Sequence, residues 1–307
     1  MNIKGSMLEL IGNTPMVYLD RFGEGLGARI AAKLELFNPY SVKDRPVLNM
    51  IETAEREGRI DGDTTIIEAT SGNTGLALAF ICAMKGYRLK ICMSEIQTEE
   101  RKQLLRLFGA DLELTPAEFG TTGSKRRALE LLEEIPNSFY IEQHSNPANT
   151  EAHIGTTAEE LWRDTEGKMD IFVHALGTTG KAMGVAEALK KRKPSLKVIG
   201  TEPHIAPMIS RGIFKPHRQA GTSPGFIPKL LKRENIEEII TVTEEQSFDT
   251  CRELVRKEGM LVGITSGMTA FVARELAKRP ENEGKLIVCL FADTGQRYLS
   301  VKGLYDV

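Results

Sequence analysis

Lys43 stands in the run Asn38-Pro39-Tyr40-Ser41-Val42-Lys43-Asp44-Arg45, a turn marked by proline. Such an amine is either a solvated surface lysine or a carbonyl-binding group. The second use needs burial and a positive neighbour, which Arg45 could supply, because only the neutral amine attacks a carbonyl. About one strand later comes Thr70-Ser71-Gly72-Asn73-Thr74-Gly75. It leaves an apolar strand and opens a helix, so its N–H groups and the helix dipole favour an anion. The hydroxyls and amide beside them suit a carboxylate. A ligand-free Ser/Thr/Asn helix cap is the competing reading, but four such residues with two glycines in an unbroken run of six exceed what a cap needs. A third loop, Gly177-Thr178-Thr179-Gly180-Lys181, again follows a strand and opens a helix, the arrangement that cradles a phosphate. It matches neither GxxxxGK[ST] nor GxGxxG. Glu202 ends the following strand, where a dinucleotide fold places its ribose-binding acid, so an NAD-type reading stands beside the phosphate one. Gly263-Ile264-Thr265-Ser266-Gly267 adds a hydroxyl in a similar turn. Together these loops suggest a lysine-bound cofactor that carries a phosphate.

The elements that must position them alternate. Thr64–Ala69 reads as a buried strand, Thr74–Lys85 as a helix and Arg88–Met93 as a strand. Glu99–Phe108 is a Leu-spaced amphipathic helix stopped at Gly109, and Asp111–Leu114 resumes strand character. After a break the pattern returns with Ile171–Ala175, Gly180–Lys191 and Lys197–Thr201 as strand, helix and strand. Repeated βαβ units imply parallel sheets covered by helices on both faces. A lobe boundary is expected at Asn146-Pro147-Ala148-Asn149, after the Phe139-Tyr140-Ile141 strand. The irregular stretch Pro203–Pro228 is long for a connection and is read equally as a functional loop or a surface excursion.

At 307 residues the chain is long enough for two lobes. A net charge of −2 gives no general pull toward nucleic acid or anionic membrane. The longest apolar run, Leu76–Met84, is too short to cross a bilayer, and the first residues lack the apolar region of a signal peptide. Cys82, Cys92, Cys251 and Cys289 form no CxxC pair and read as buried thiols of a reducing compartment rather than metal ligands, with the cytoplasm as the expected location.

At this point the residues match a family from end to end. The chain resembles the cysteine synthases (O-acetylserine sulfhydrylases) and their relative cystathionine β-synthase, pyridoxal-phosphate enzymes of fold type II. The likeness runs through Ile11-Gly12-Asn13-Thr14-Pro15-Met16, Ser41–Arg45, Thr70–Gly75 and Gln143-His144-Ser145-Asn146-Pro147-Ala148-Asn149. It continues through Gly225-Phe226-Ile227-Pro228, Gly263–Gly267 and Asp293-Thr294-Gly295-Gln296-Arg297-Tyr298-Leu299-Ser300. The resemblance implies a two-lobed α/β fold like the tryptophan synthase β chain. Residues 40–145 would form a smaller mobile lobe, and 1–39 with 146–307 a larger lobe that binds the cofactor phosphate.

It also implies roles. Lys43 would hold pyridoxal 5′-phosphate as a Schiff base and move the substrate's α-proton. Asn73 would bond the cofactor's 3′ oxygen. Gly177, Thr178, Thr179, Gly180 and Lys181 would wrap its phosphate, and Thr265 would face the pyridine nitrogen. Thr70, Ser71, Thr74 and Gln143 would hold the α-carboxylate, with Gly221 in the substrate segment Ala220–Pro224. The implied reaction is a β-replacement that makes L-cysteine from O-acetyl-L-serine and sulfide through an aminoacrylate. O-phosphoserine is a rival donor, because Arg211, Lys215 and Arg218 lie near that segment; a solvated basic face is the other reading of those three. Condensation of serine with homocysteine stays open, although a chain of this length is expected to lack the regulatory tail and the haem-binding extension of some cystathionine β-synthases. A homodimer is implied. A role as a non-catalytic partner of serine acetyltransferase is a further alternative, against which the intact lysine and loops count.

Three departures from the family pattern stand out. Tyr40 alone separates Asn-Pro from Ser-Val-Lys, where two residues are usual. Lys181 ends the phosphate loop where a hydroxyl residue is usual. His144 follows Gln143 where phenylalanine is common, and is read either as a general acid or as a structural histidine.

Overall fold

The structure, a computed structural model, describes residues 3–70 and 72–305. The chain divides into two compact units, Met1–Ile11 with Lys43–Asn149 and Gly12–Val42 with Thr150–Val307. The described residues contain ten strands: β1 Met16–Tyr18, β2 Arg29–Leu34, β3 Thr65–Ala69, β4 Arg88–Ser94, β5 Asp111–Thr115, β6 Ser138–Tyr140, β7 Met169–Ala175, β8 Lys197–Pro203, β9 Glu238–Val242 and β10 Leu286–Phe291.

The first unit holds a four-stranded sheet in the order β5-β4-β3-β6, parallel throughout. All five residues of β3 are buried, as a central parallel strand covered on both faces requires. Ile67, Ala69 and Cys92 pack against Ala128 and Leu131 of the helix Gly120–Glu134. The helix Asn73–Lys85 is apolar nearly all round, with Leu76 through Cys82 buried, so its sequence carries no strong polar face. It stops at Gly86, which takes φ of 82° and donates its N–H to the Cys82 carbonyl.

The second unit is built on a six-stranded sheet in the order β1-β2-β10-β7-β8-β9, in which only β1 runs antiparallel to its neighbour. Cores form on both faces. One gathers Phe291, Ile287, Met268 and Phe248, the other Phe172, Met183, Val185 and Val198. A polar knot lies among them. Lys33 on β2 is fully buried, with its ammonium 2.7 Å from Glu160 and 3.3 Å from Asp164, and it donates to the Thr14 carbonyl at 2.6 Å. Glu35 accepts the Thr14 hydroxyl at 2.8 Å and the Asn38 amide, while Asn38 takes the Gly12 N–H at 2.8 Å. The Gly12–Thr14 and Glu35–Asn38 motifs are therefore fastened to each other.

The parallel-rich α/β architecture expected from the alternating pattern is the one the chain adopts, with boundaries shifted by a residue or two. The helix expected over Gly180–Lys191 ends at Leu189. Within Pro203–Pro228 the order is mostly irregular, apart from the four-residue helix Met208–Arg211. All four cysteines are buried free thiols, and no helix of the described residues is long and apolar enough to cross a membrane.

Candidate active site

In the first unit β3 ends at Ala69 and delivers Thr70, whose N–H donates to the Cys92 carbonyl at 3.1 Å. Gly72 caps the helix that starts at Asn73, and its N–H reaches the Thr70 hydroxyl at 3.3 Å. Ser71 lies outside the described residues. Thr74, buried in the first turn, donates its hydroxyl to Gln143 Oε1 at 2.7 Å. Gln143 sits just past β6 in a turn whose Glu142 has φ of 52°, and its carbonyl accepts the Asn149 amide at 2.7 Å. Because the Gln143 amide oxygen is taken by Thr74, its NH₂ is left as a donor, which suits an incoming carboxylate. The structure thus brings Thr70, Asn73, Thr74 and Gln143 into one unit around a helix N-terminus.

Lys43 caps the helix Asp44–Arg56 in the same unit and is half-buried. Burial lowers its pKa to about 8, opposed by Glu68 to the extent that Glu68 is ionised. A tenth of such an amine is neutral one pH unit below that value, against a vanishing fraction for a solvated lysine, so the surface-lysine reading fails. His144 is pushed down to about 3 by burial and by the positive Lys43 and Lys125. It is neutral at physiological pH and carries no proton to give as an imidazolium.

Glu68 went unremarked in the sequence, where its one signal is an acid inside an apolar strand. It is 1% exposed. Burial raises its pKa to about 8, opposed by the N–H groups of Gln143, Glu142 and Ala69 that face it.

The second unit assembles a different set. β7 runs into Leu176 and Gly177, and the helix Gly180–Leu189 opens behind Thr179, whose φ of 65° turns the chain so that successive N–H groups lie at the helix start. Thr178, Thr179 and Lys181 are buried, and the Thr179 hydroxyl has no hydrogen-bond partner among the described residues. Gly177 is packed so closely that a Cβ there would lie 2.4 Å from the Gly221 carbonyl oxygen. A Cβ at Gly221, where φ is 88°, would in turn meet the Thr265 methyl at 3.6 Å. Gly177, Gly221 and Thr265, far apart in sequence, are therefore neighbours. The Gly263 turn is held by the Asp293–Tyr298 segment: Gly263 N–H donates to the Asp293 carbonyl at 2.9 Å, and Tyr298 donates to the Asp293 carboxylate at 2.6 Å. A Cβ on Gly263 would fall 1.9 Å from Asp293 Oδ1, so only glycine fits. Arg297 of the same segment donates to the Tyr40 carbonyl, fastening the shortened turn.

These residues fit pyridoxal phosphate. In the second unit a helix-start nest with a buried hydroxyl and a buried ammonium suits a phosphate, and in the first unit an amine with depressed pKa suits an aldehyde. They do not fit a dinucleotide. Glu202, the expected ribose acid, is fully buried, and its two carboxylate oxygens accept the N–H groups of Ile209 at 2.6 Å and Ser210 at 3.0 Å. It braces the Met208–Arg211 helix. The basic trio is not a convergent anion site either: Arg218 pairs with Glu244, and Arg211 and Lys215 are exposed.

A model of the pyridoxal-phosphate dependent enzyme family matches residues 7–293. Cysteine synthase B of Campylobacter jejuni is 43% identical over 98% of this chain and 98% of its own. Among solved structures, cysteine synthase of Entamoeba histolytica superposes with a TM-score of 0.96 at 39% identity, covering 100% of this chain and 93% of that one. An O-ureido-L-serine synthase superposes with a TM-score of 0.94 at 38% identity, covering 98% and 95%.

Proposed function

The chain belongs to the pyridoxal-phosphate-dependent enzymes, in the cysteine synthase family, and from that premise we propose that it makes L-cysteine from O-acetyl-L-serine and sulfide. The observation that carries the reading is Lys43, an amine with pKa lowered to about 8 in the same unit as the Thr74–Gln143 pair.

Pyridoxal phosphate, when bound, supplies an electron sink for the charge left at Cα as the α-proton departs. The chain supplies the rest. Lys43 would hold the cofactor through its amine, and the same amine would take the α-proton and return it. Thr70, Ser71 and Thr74 with the Gln143 NH₂ hold the α-carboxylate and so fix the direction of the Cα–H bond, an orientation effect as much as a binding one. Asn73 would support the cofactor's ring oxygen. Gly177 to Lys181 would hold the phosphate, with the Lys181 ammonium adding charge. Thr265 would offer the ring nitrogen a neutral hydroxyl, which would favour prompt loss of the β-group, and Gly221 would line the substrate segment.

Residues 40–145 act as the mobile lobe in this reading, the enzyme is a cytoplasmic homodimer, and serine acetyltransferase is a candidate partner. The neutral His144 is a lining residue and not an acid.

The test is spectral and chemical. The purified protein shows a visible absorbance band that Lys43→Ala lacks. Mixed in turn with O-acetylserine, O-phosphoserine and serine, it loses that band with O-acetylserine, and sulfide then yields cysteine. A colourless wild-type protein sinks the cofactor assignment, and a response to O-phosphoserine alone sinks the donor.

A further inference from the structure

We propose that Glu68 is a positioning residue whose uncharged carboxyl braces the Gln143 turn beneath the substrate's α-carboxylate, so that amino-acid binding weakens when Glu68 ionises. The idea rests on the carboxylate-holding role read for Thr74 and Gln143.

The geometry begins with β3. Side chains two apart on a strand share a face, so Glu68 lies on the side of β3 from which Thr70 leaves for the carboxylate loop. Its carboxyl is buried, and the N–H groups of Glu142 and Gln143 face it. That turn is otherwise fixed by the Ile141 N–H to the Ile67 carbonyl at 3.3 Å and by Ser145 and Asn146, which both donate to the Glu142 carbonyl at 3.0 Å. Glu142 is held at a positive φ in it. The Glu68 carboxyl therefore links the strand that delivers Thr70 to the turn that carries Gln143.

Its second oxygen, Oε2, is buried with no hydrogen-bond partner among the described residues. A carboxylate with one oxygen unsatisfied in a dry site is costly, and a proton on that oxygen removes most of the cost. The raised pKa agrees with this. An ionised Glu68 would instead set a second negative charge under the substrate's own.

The groups around it are few. Lys43 faces it from the start of the helix Asp44–Arg56, Glu142 from the turn, Tyr140 from β6 and Cys92 from β4. Burial raises the Tyr140 and Cys92 pKa values, Cys92 to about 12, so both stay protonated through the working range. The helix Gly120–Glu134 packs on the same sheet through Ala128 and Leu131, and its Arg127 is spent on Glu113 and Glu134. Lys85, at the end of the helix Asn73–Lys85, is spent on Glu55. In the holoenzyme Lys43 would be held by the cofactor and released by the alanine amine in wild type and Glu68→Gln alike, so the difference between the two proteins reports Glu68.

The experiment titrates L-alanine, which has the α-carboxylate and no β-leaving group, into wild-type and Glu68→Gln holoenzyme across neutral to mildly alkaline pH, with Kd read from the visible spectrum. The alanine amine titrates alike in both, so it cancels in the ratio of the two constants. The ratio of wild-type to variant Kd is expected to rise with pH, approaching about ten-fold per unit once Glu68 ionises. An infrared band of a buried protonated carboxyl, present in wild type, is expected to be absent from Glu68→Gln and to fade with rising pH. Thr74→Val is the control on the underlying reading. If it leaves alanine affinity unchanged, the carboxylate site is misassigned. If it weakens alanine binding while the Kd ratio stays flat, that site stands and the Glu68 proposal falls. Should Glu68→Gln not fold, Glu68→Asp keeps the ionisable group but draws it away from the turn. Weaker alanine binding at every pH then supports the bracing role, and unchanged binding overturns it.

Discussion

Replacing Thr74 by valine removes one hydroxyl and almost no volume. Thr74 is 4% exposed and Gln143 6%, and the bond between them is 2.7 Å long. Valine fills the same space, so the cavity term is close to zero and the loss is that of a buried hydrogen bond. Gln143 Oε1 would be left unsatisfied, which costs about 1–3 kcal/mol. Two readouts follow from that figure. Denaturant unfolding of the variant should show a loss of about 1–3 kcal/mol with an unchanged m value. The second concerns function. With its oxygen released, the Gln143 amide is free to turn its NH₂ away from the substrate, and the Thr74 hydroxyl itself is gone. At about 1.4 kcal/mol per factor of ten, KM for O-acetylserine should rise roughly ten- to hundred-fold, and kcat should fall as well because the Cα–H bond loses its fixed direction. The exposed Arg29–Asp20 pair, 56% and 64% exposed, is the matched control; Asp20→Asn should change stability by less than about 1 kcal/mol and leave KM alone. A Thr74→Val enzyme with KM within about two-fold of wild type and undiminished stability would refute the reasoning.

Three further outcomes are expected. Glu68, with pKa raised from 4.5 to about 8, holds in the folded state a proton that the unfolded chain releases, so stability falls as pH rises from about 4.5 to 8. Lys43, lowered from 10.5 to about 8, has the opposite sign above that, so cofactor-free protein should be least stable near pH 8; urea midpoints against pH should show the dip, shallower in Glu68→Gln, and a flat profile counts against both assignments. In Gly177→Ala the new methyl meets the Gly221 carbonyl at 2.4 Å; dialysis should strip its cofactor at least about ten-fold more readily, with a fold destabilised by about 1–3 kcal/mol. Lys33→Ala removes the ammonium that faces the buried Glu160 carboxylate and should cost about 3–5 kcal/mol by chemical denaturation.

Much of this protein was legible in the order of its residues. The strands and helices follow from short apolar runs and 3.6-residue spacing, because a parallel strand buried on both faces and a helix on a sheet each need those patterns locally. The turns proposed to carry chemistry stood out for the same reason: Thr70–Gly75 and Gly177–Lys181 are strand-to-helix loops, and the glycine, hydroxyl and amide content of such loops is a local property. Lys43 was legible as a candidate only, since a lysine's type says nothing of its pKa. Burial settles that, and burial is a property of the folded unit. The tertiary structure alone decided what Glu202 does, because an acid at a strand end looks the same whether it meets a ribose or the N–H groups of Ile209 and Ser210. It alone joined Gly177, Gly221 and Thr265, and set Glu68 against a turn more than seventy residues away in sequence. Spacing along a chain determines what each segment becomes; which buried polar atoms meet, and which are left without a partner, is fixed only when the segments pack.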